Sequence, residues 1–279
     1  MKYANLHLHS IYSDGNFTPL QLVLIAKSLG YGALAVTDHD TNGGVKDLMT
    51  AARSEGMDFV SGVEFTGSGW GVEFHITALD FDNDDPAFNA FVQERVDART
   101  EFTRRCVERA LSLGILHDVT WNEILDSCEE KAWVCNDQVF TYLRRKQLVP
   151  RTGTNAELKR AIFRAPELEA YRPQTPDVEK VISVIRSAGG IAAVAHPHDQ
   201  VKYVPQLVEL GLNGIEVSHP NLYESTPGAV AAADEYHLYR CGGTDHTGAL
   251  SGCTGLNAVC ALQGITEEEY QTLRERRLG

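Results

Sequence analysis

Short apolar runs alternate with amphipathic stretches through the first ninety residues and again after residue 172. Apolar and β-branched positions predict strands over residues 4–9, 33–37, 59–63, 73–79, 191–195, 214–217 and 238–241. Helical spacing falls between them, over residues 19–30, 44–55, 178–188, 204–210 and 229–236. The first of these helices has a clear start and stop: Thr18 as N-cap, Pro19 in the first turn and Gly30 at the end. Short apolar strands separated by helices predict an α/β fold with a parallel sheet covered on both faces. Seven such strands predict a seven-stranded (β/α) barrel rather than an open sheet.

The alternation stops between residues 91 and 171. Residues 91–113 read as one long amphipathic helix, and residues 121–127, 138–146 and 155–164 as shorter ones. The expected organisation is a discontinuous barrel domain over residues 1–90 and 172–279. A helical insertion over residues 91–171, between strands four and five, would cap the active site.

Composition changes this picture little, whereas charge changes it more. A 279-residue chain with 43% hydrophobic residues is ordinary for a globular protein. The amino terminus has no apolar signal region, and no apolar run reaches membrane-spanning length. Six cysteines without C-x-x-C spacing read as idle thiols in a reducing compartment, so the expected location is the cytoplasm. A net charge of −13 argues against a nucleic-acid polymer as partner, since that binding relies on neutralising phosphates. Yet residues 99–172 hold 13 basic and 11 acidic side chains, leaving 12 and 27 elsewhere. Acidic ligands on the barrel and a basic insertion suit a small anionic substrate.

The candidate chemistry sits where predicted strands end. His7 and His9 are two apart on a strand, so both point to one face. Asp14 follows in a polar loop. The second strand ends in Asp38-His39-Asp40, with His39 a ligand candidate and Asp38 a candidate to orient a ligand imidazole. Glu64 closes the third strand and can bridge two cations. His75 lies in the fourth, His196 and His198 end the fifth, and Asp245 with His246 ends the seventh after two glycines. The sixth ends near Glu216 and His219, for which no role follows. In a parallel barrel, strand carboxyl ends meet at one mouth. Histidines with carboxylates and no cysteine suit Mn, Fe or Zn rather than a structural thiolate zinc site.

These residues resemble the PHP family, the polymerase and histidinol phosphatase domains. The motifs that carry the resemblance are His7-x-His9 with Ser13-Asp14-Gly15, Thr37-Asp38-His39, Gly62-x-Glu64, His75, Ala195-His196-Pro197 and the Asp245 segment. The resemblance implies two or three divalent metal ions held by His7, His9, Asp14, His39, Glu64, His75, His196, Asp245 and His246, and hydrolysis of phosphate esters by a metal-activated hydroxide. It points to the small stand-alone phosphoesterases with a helical insertion. Nucleoside 3′,5′-bisphosphates, ribose cyclic phosphates and sugar phosphates are the expected substrate classes. The alternatives are a C–N hydrolase or deaminase, and a non-catalytic module of the same fold.

Two departures stand out. The family usually ends in Asp-x-His, whereas here the histidine follows directly as Asp245-His246. The Gly-Arg-Pro-His run common in the insertion is replaced by Val134-Cys135-Asn136-Asp137-Gln138, without an arginine. Candidate cations for substrate phosphate are Lys131, Arg144, Arg145, Arg160 and Lys202, and His198 is a candidate proton donor to the leaving group.

Overall fold

The computed structural model describes residues 2–129, 133–150, 155–222, 226–245, 247 and 263–276. Three two-residue strands, β1 (Ala4–Asn5), β2 (Ala33–Leu34) and β3 (Asp58–Phe59), form a parallel sheet in that order. A second sheet runs in the order β4 (Gly62–Gly69), β5 (Val72–Leu79), β6 (Ile191–Val194), β7 (Gly214–Ser218) and β8 (Tyr239–Gly242). The alternation of short strands and helices thus predicts the α/β class correctly.

The expectation of a wholly parallel sheet is corrected. β5 pairs antiparallel with both β4 and β6. Only Trp70 and Gly71 join β4 to β5, and a parallel crossover needs a dozen or more residues. Both residues take positive φ, 50° and 74°, the backbone that a two-residue hairpin requires. The predicted strand over residues 59–63 also divides, its first residue closing β3 and its last two opening β4.

Backbone hydrogen bonds reach beyond the two ladders. Glu64 N–H donates to Asp38 O at 3.1 Å and Asp40 N–H to Glu64 O at 2.9 Å, joining the segment after β2 to β4. Leu6 N–H donates to Gly242 O and Asp245 N–H to His7 O, each at 2.9 Å, joining the segment after β1 to the end of β8. These bonds bring the polar strand ends side by side.

Helices α1 (Pro19–Ser28) and α2 (Gly44–Glu55) follow β1 and β2. α1 starts as predicted: Thr18 accepts from Gln21 N–H and the Gln21 side chain accepts from Thr18 N–H. Leu22, Val23 and Ala26 of α1 pack with Leu48, Ala51 and Ala52 of α2 over β2. Helix α3 (Pro86–Ser112) begins earlier than the periodicity indicates, because Asp85 accepts from Phe88 N–H at 2.7 Å and Pro86 fits the first turn. Its 27 residues span about 40 Å. Helices α4 (Trp121–Asp126), α5 (Asn136–Arg145) and α6 (Ala156–Phe163) follow. Beyond them come α7 (Val178–Ser187), α8 (Val204–Glu209), α9 (Thr226–Glu235) and α10 (Glu267–Glu275).

Two apolar cores share α3. Phe91, Val92 and Val96 join the sheet core, with Val63, Phe65, Ile76, Val181 and Ile185. Phe102, Cys106 and Val107 join a second core with Ile124, Val139, Phe140, Leu143 and Ile162. Among the described residues, no helix is long and apolar enough to cross a membrane.

Candidate metal centre

The segments after β1, β2, β6 and β8 meet β4 and β5 in one buried constellation around Glu64, which is 1% exposed and lies near the start of β4 rather than closing a strand. Five imidazoles lie within 3.4 Å of its carboxylate. His7 Nε2, His9 Nε2 and His39 Nδ1 stand 3.4, 3.3 and 3.2 Å from Oε2. His75 Nδ1 and His196 Nε2 stand 2.9 and 3.2 Å from Oε1. Asp245 Oδ1 approaches His9 Nε2 at 2.9 Å and His7 Nε2 at 3.6 Å. Asp14 lies 3.5 Å from His9 Nδ1 and 3.8 Å from His39 Nε2. The candidates His7, His9, Asp14, His39, Glu64, His75, His196 and Asp245 are therefore brought together. His246 lies outside the described residues.

Many of these approaches lack hydrogen-bond geometry. His7 Nε2, both ring nitrogens of His9 and Glu64 Oε2 are buried without a hydrogen-bond partner. Orphaned buried polar atoms are costly, and four in one place indicate a missing common partner. Three donor sets converge closely enough for a cation: His7, His9, Glu64 and Asp245; His9, Asp14 and His39; and His39, Glu64 and His75. Nitrogen and carboxylate oxygen donors without sulfur fit a divalent transition metal.

The charges respond to one another. Burial alone would lower the pKa of His7, but Glu216, Glu64 and Asp245 outweigh it and leave it well above the ordinary imidazole value. His9 behaves likewise under Asp14, Asp245 and Glu64. Burial would raise the Glu64 carboxyl, yet His7, His39 and His75 hold it well below the usual range. Asp245 is depressed in the same way by His7, His219 and His9. A bound cation would take the place of protons that these imidazoles otherwise hold.

Local backbone explains how the ligands converge. A Cβ on Gly15 would meet His9 O at 2.3 Å, and one on Gly243 would meet His7 N at 2.4 Å. The loops carrying Asp14 and Asp245 close against the His7-Leu8-His9 segment only because these positions are glycine. His196 and Asp245 themselves take positive φ, 30° and 48°. Such strain persists where surrounding bonds fix it. Glu216 accepts His196 N–H at 2.7 Å, and His7 O accepts Asp245 N–H.

Glu216 and His219 belong to the site, although sequence reasoning assigned them no role. Glu216 Oε2 lies 3.2 Å from His7 Nδ1, which orients the ring so that Nε2 faces Glu64 and Asp245. His219 Nε2 lies 3.1 Å from Asp245 Oδ2. Glu216 lies inside β7, as Glu64 and His75 lie inside β4 and β5, and His219 immediately follows β7.

The remaining candidates take different places. Among the described residues, Asp38 hydrogen-bonds to no imidazole. Its carboxylate accepts from Ser10 N–H at 2.7 Å, Ser10 Oγ at 2.6 Å and Ser13 Oγ at 2.5 Å, so it pins the loop between His9 and Asp14. His198, whose ring centroid is 6.5 Å from that of His196, has its pKa lowered by burial and then by His196 and His219. Arg144 is 7% exposed and sits 6.0 Å over the Phe140 ring, inside the helical core rather than at a cleft. Arg145 lines a cleft of about 300 Å³ with Ile11, Asn16 and Glu129. Lys202 stacks 5.3 Å from the Tyr203 ring. Arg160 lines a separate basic cleft. Lys131 lies outside the described residues.

With this geometry established, comparison with known proteins is informative. Residues 5–105 match the model of the PHP domain family. It is 29% identical over 260 residues to a 3′,5′-nucleoside bisphosphate phosphatase of Chromobacterium violaceum, an alignment spanning 88% of this chain and 87% of that protein. It is 28% identical over 199 residues to a 5′-3′ exoribonuclease of Haemophilus influenzae, spanning 70% of this chain and 69% of that one. Its fold matches the crystal structure of a Bifidobacterium adolescentis chain named as a metal-dependent phosphoesterase. The TM-score is 0.81 at 24% identity, covering 99% of this chain and 96% of the other. At that identity the likeness is one of fold.

Proposed function

We propose that this chain is a metal-dependent phosphoesterase acting on a small phosphorylated metabolite: a nucleoside 3′,5′-bisphosphate, a ribose cyclic phosphate or a sugar phosphate. The convergence of buried, unpartnered His7, His9 and Glu64 atoms carries this reading. The bisphosphate phosphatase from Chromobacterium violaceum supports it over most of the chain. On this reading His7, His9, Glu64 and Asp245 hold one divalent ion. His39 and His75 share Glu64 for a second, and Asp14 with His9 and His39 offers a third position. Bound Mn, Fe or Zn would neutralise phosphoryl oxygens and lower the pKa of a water molecule.

The chain's own residues supply the orientation. Glu64 sets five imidazoles around one carboxylate. Glu216 fixes both the His7 ring and the His196 backbone. Asp38 holds the Asp14 loop through Ser10 and Ser13.

The two sheets are read as a distorted seven-stranded barrel, with β3 and β4 as one interrupted stave. The bonds between β1 and β8 and between the β2 end and β4 support it. Residues 1–90 and 172–279 then form the barrel, and residues 91–171 an insertion with its own core. The apolar clusters support the later boundary, dividing between Leu168 and Val178, whereas along α3 they divide between Val96 and Phe102, inside the proposed insertion. A cytoplasmic location belongs to the same reading.

The test is phosphate release from a panel of the three ester classes with Mn, Fe or Zn, with 5′-phosphorylated RNA as an added arm. Release from the small esters supports the reading. Preference for RNA would replace the metabolite by a polymer end, and no release with any metal would remove the enzyme reading.

A further inference from the structure

Glu216 and His219 stand three residues apart, and side chains so spaced point to opposite faces of a regular strand. Here both face the metal centre: Glu216 lies against His7, and His219 against Asp245. The ladder between β7 and β8 shows why. Glu216 pairs with Cys241 and Ser218 with Gly242, so β7 carries Val217 as an extra residue. A bulge of this kind re-aims the side chains that follow it. Val217 joins the apolar sheet core, and His219 comes round to the side of Glu216. Three bonds and a glycine fix the bulge. Ser218 Oγ donates to Gln263 Oε1 at 2.7 Å and accepts Gly264 N–H at 3.1 Å. Gly243 N–H donates to Ser218 O at 2.9 Å. A Cβ on Gly242 would meet that same Ser218 O at 2.8 Å, so the strand opposite the bulge needs a residue without one.

Both ring nitrogens of the buried His219 are committed. Asn221 N–H donates to Nδ1 at 3.1 Å. An imidazole that accepts at Nδ1 carries its proton on Nε2. Nε2 stands 3.1 Å from Asp245 Oδ2 and donates to it. The other oxygen of that carboxylate, Oδ1, faces His9 Nε2 at 2.9 Å and His7 Nε2 at 3.6 Å, inside the donor set of His7, His9, Glu64 and Asp245. The two oxygens of Asp245 therefore differ: Oδ2 is held and Oδ1 is open to coordinate. Asp245 also takes a positive φ of 48°, a conformation that persists only where its surroundings fix it. The His219 ring centroid is 5.2 Å from that of His196, yet with both nitrogens engaged it has no lone pair for a cation. It is a neighbour of the ligands and not one of them.

We propose that His219 is a positioning residue of the metal centre: aimed by the bulge in β7, it clamps Oδ2 of Asp245 and leaves Oδ1 alone to face the cation. The proposal rests on the metal-dependent reading above and deepens it by naming what fixes one ligand carboxylate. Hydrogen-bonded partners of this kind orient metal-binding carboxylates and hold them to one coordination mode.

The test is equilibrium Mn binding by titration calorimetry, without substrate, on full-length protein stripped of metal and then freed of chelator. His219→Leu removes the donor, and His219→Gln keeps one. His219→Leu should weaken Mn binding about ten- to hundredfold, the effect of removing a group that orients a ligand, with the number of bound ions unchanged. His219→Gln should recover most of that affinity. In an Asp245→Ala background, His219→Leu should weaken binding no further, because the histidine acts through that carboxylate. Nitrogen NMR of the Zn-loaded protein with labelled histidine rings reads the tautomer without the leucine variant: the signals lost in His219→Gln should belong to a neutral ring protonated on Nε2. Unchanged affinity in His219→Leu, equal losses in the leucine and glutamine variants, additive losses in the double variant or a proton on Nδ1 would each overturn the assignment while the metal centre stands. Loss of a bound ion in His219→Leu would overturn it by making His219 a ligand. The expected binding pattern in a protein that hydrolyses none of the esters keeps the assignment and removes the phosphoesterase. Wild-type protein that takes up no Mn removes both.

Discussion

The metal centre and the basic cleft are built on opposite physical terms. In the centre, charges of both signs are buried together: Glu64 and His9 are 1% and 0% exposed, and each group is held in place by another. In the cleft, charges of one sign line the wall, and Arg99 alone of them also faces the carboxylates of Asp40 and Glu73. Buried mixed charges are costly unless geometry is fixed, so nearly every residue there is constrained by a glycine contact, a backbone bond or a carboxylate. Exposed like charges cost little.

The sharpest way to break this contrast is His9→Ala. It should lower hydrolysis by at least about a hundredfold and reduce bound metal, since even outer partners of ligands are worth ten- to hundredfold. Circular dichroism should stay native, and retained activity with full metal content would remove His9 from the ligands. Phe140→Ala tests the independence of the helical core. It should cost about 3–5 kcal/mol there. Metal content, read by elemental analysis, should hold below the helical transition, and a single cooperative loss of both would merge the two regions. Glu216→Ala leaves the ligands intact but frees the His7 ring, so metal affinity should fall about ten- to hundredfold. An unchanged metal titration would reduce Glu216 to a packing residue.

The smallest effect concerns pH. His7 and His9 are raised in the metal-free protein, so the stability they lend is present below their unfolded value and is lost as pH rises through the folded one. Added Mn competes with those same protons. Its stabilisation in a thermal shift assay should therefore grow from pH 6 to pH 8, and a shift that shrinks with pH would contradict the proton count.

Much of the centre was legible because ligand types recur in or just after short apolar runs: His7, His39, His196 and Asp245 follow β1, β2, β6 and β8, and Glu64 and His75 lie inside β4 and β5. His7, His9, Asp14, His39, Glu64, His75, His196 and Asp245 could be named from that repetition. Glu216 and His219 obeyed the same positional rule, but no local sequence distinguishes a carboxylate that holds an imidazole from one that faces water. Asp38 illustrates the converse. Its sequence position suggested a partner for histidine, and only the folded loop shows two serines claiming its oxygens.

The sequence by itself determined the α/β class, the strand-end chemistry and the helical interruption, because these depend on periodicity and residue type over short spans. Tertiary structure alone decided that β5 runs antiparallel, that Glu64 is the common neighbour of five imidazoles and that Arg99 meets Arg160 across sixty residues of chain. Those facts depend on which distant segments pack together, and no short-range pattern encodes that distance.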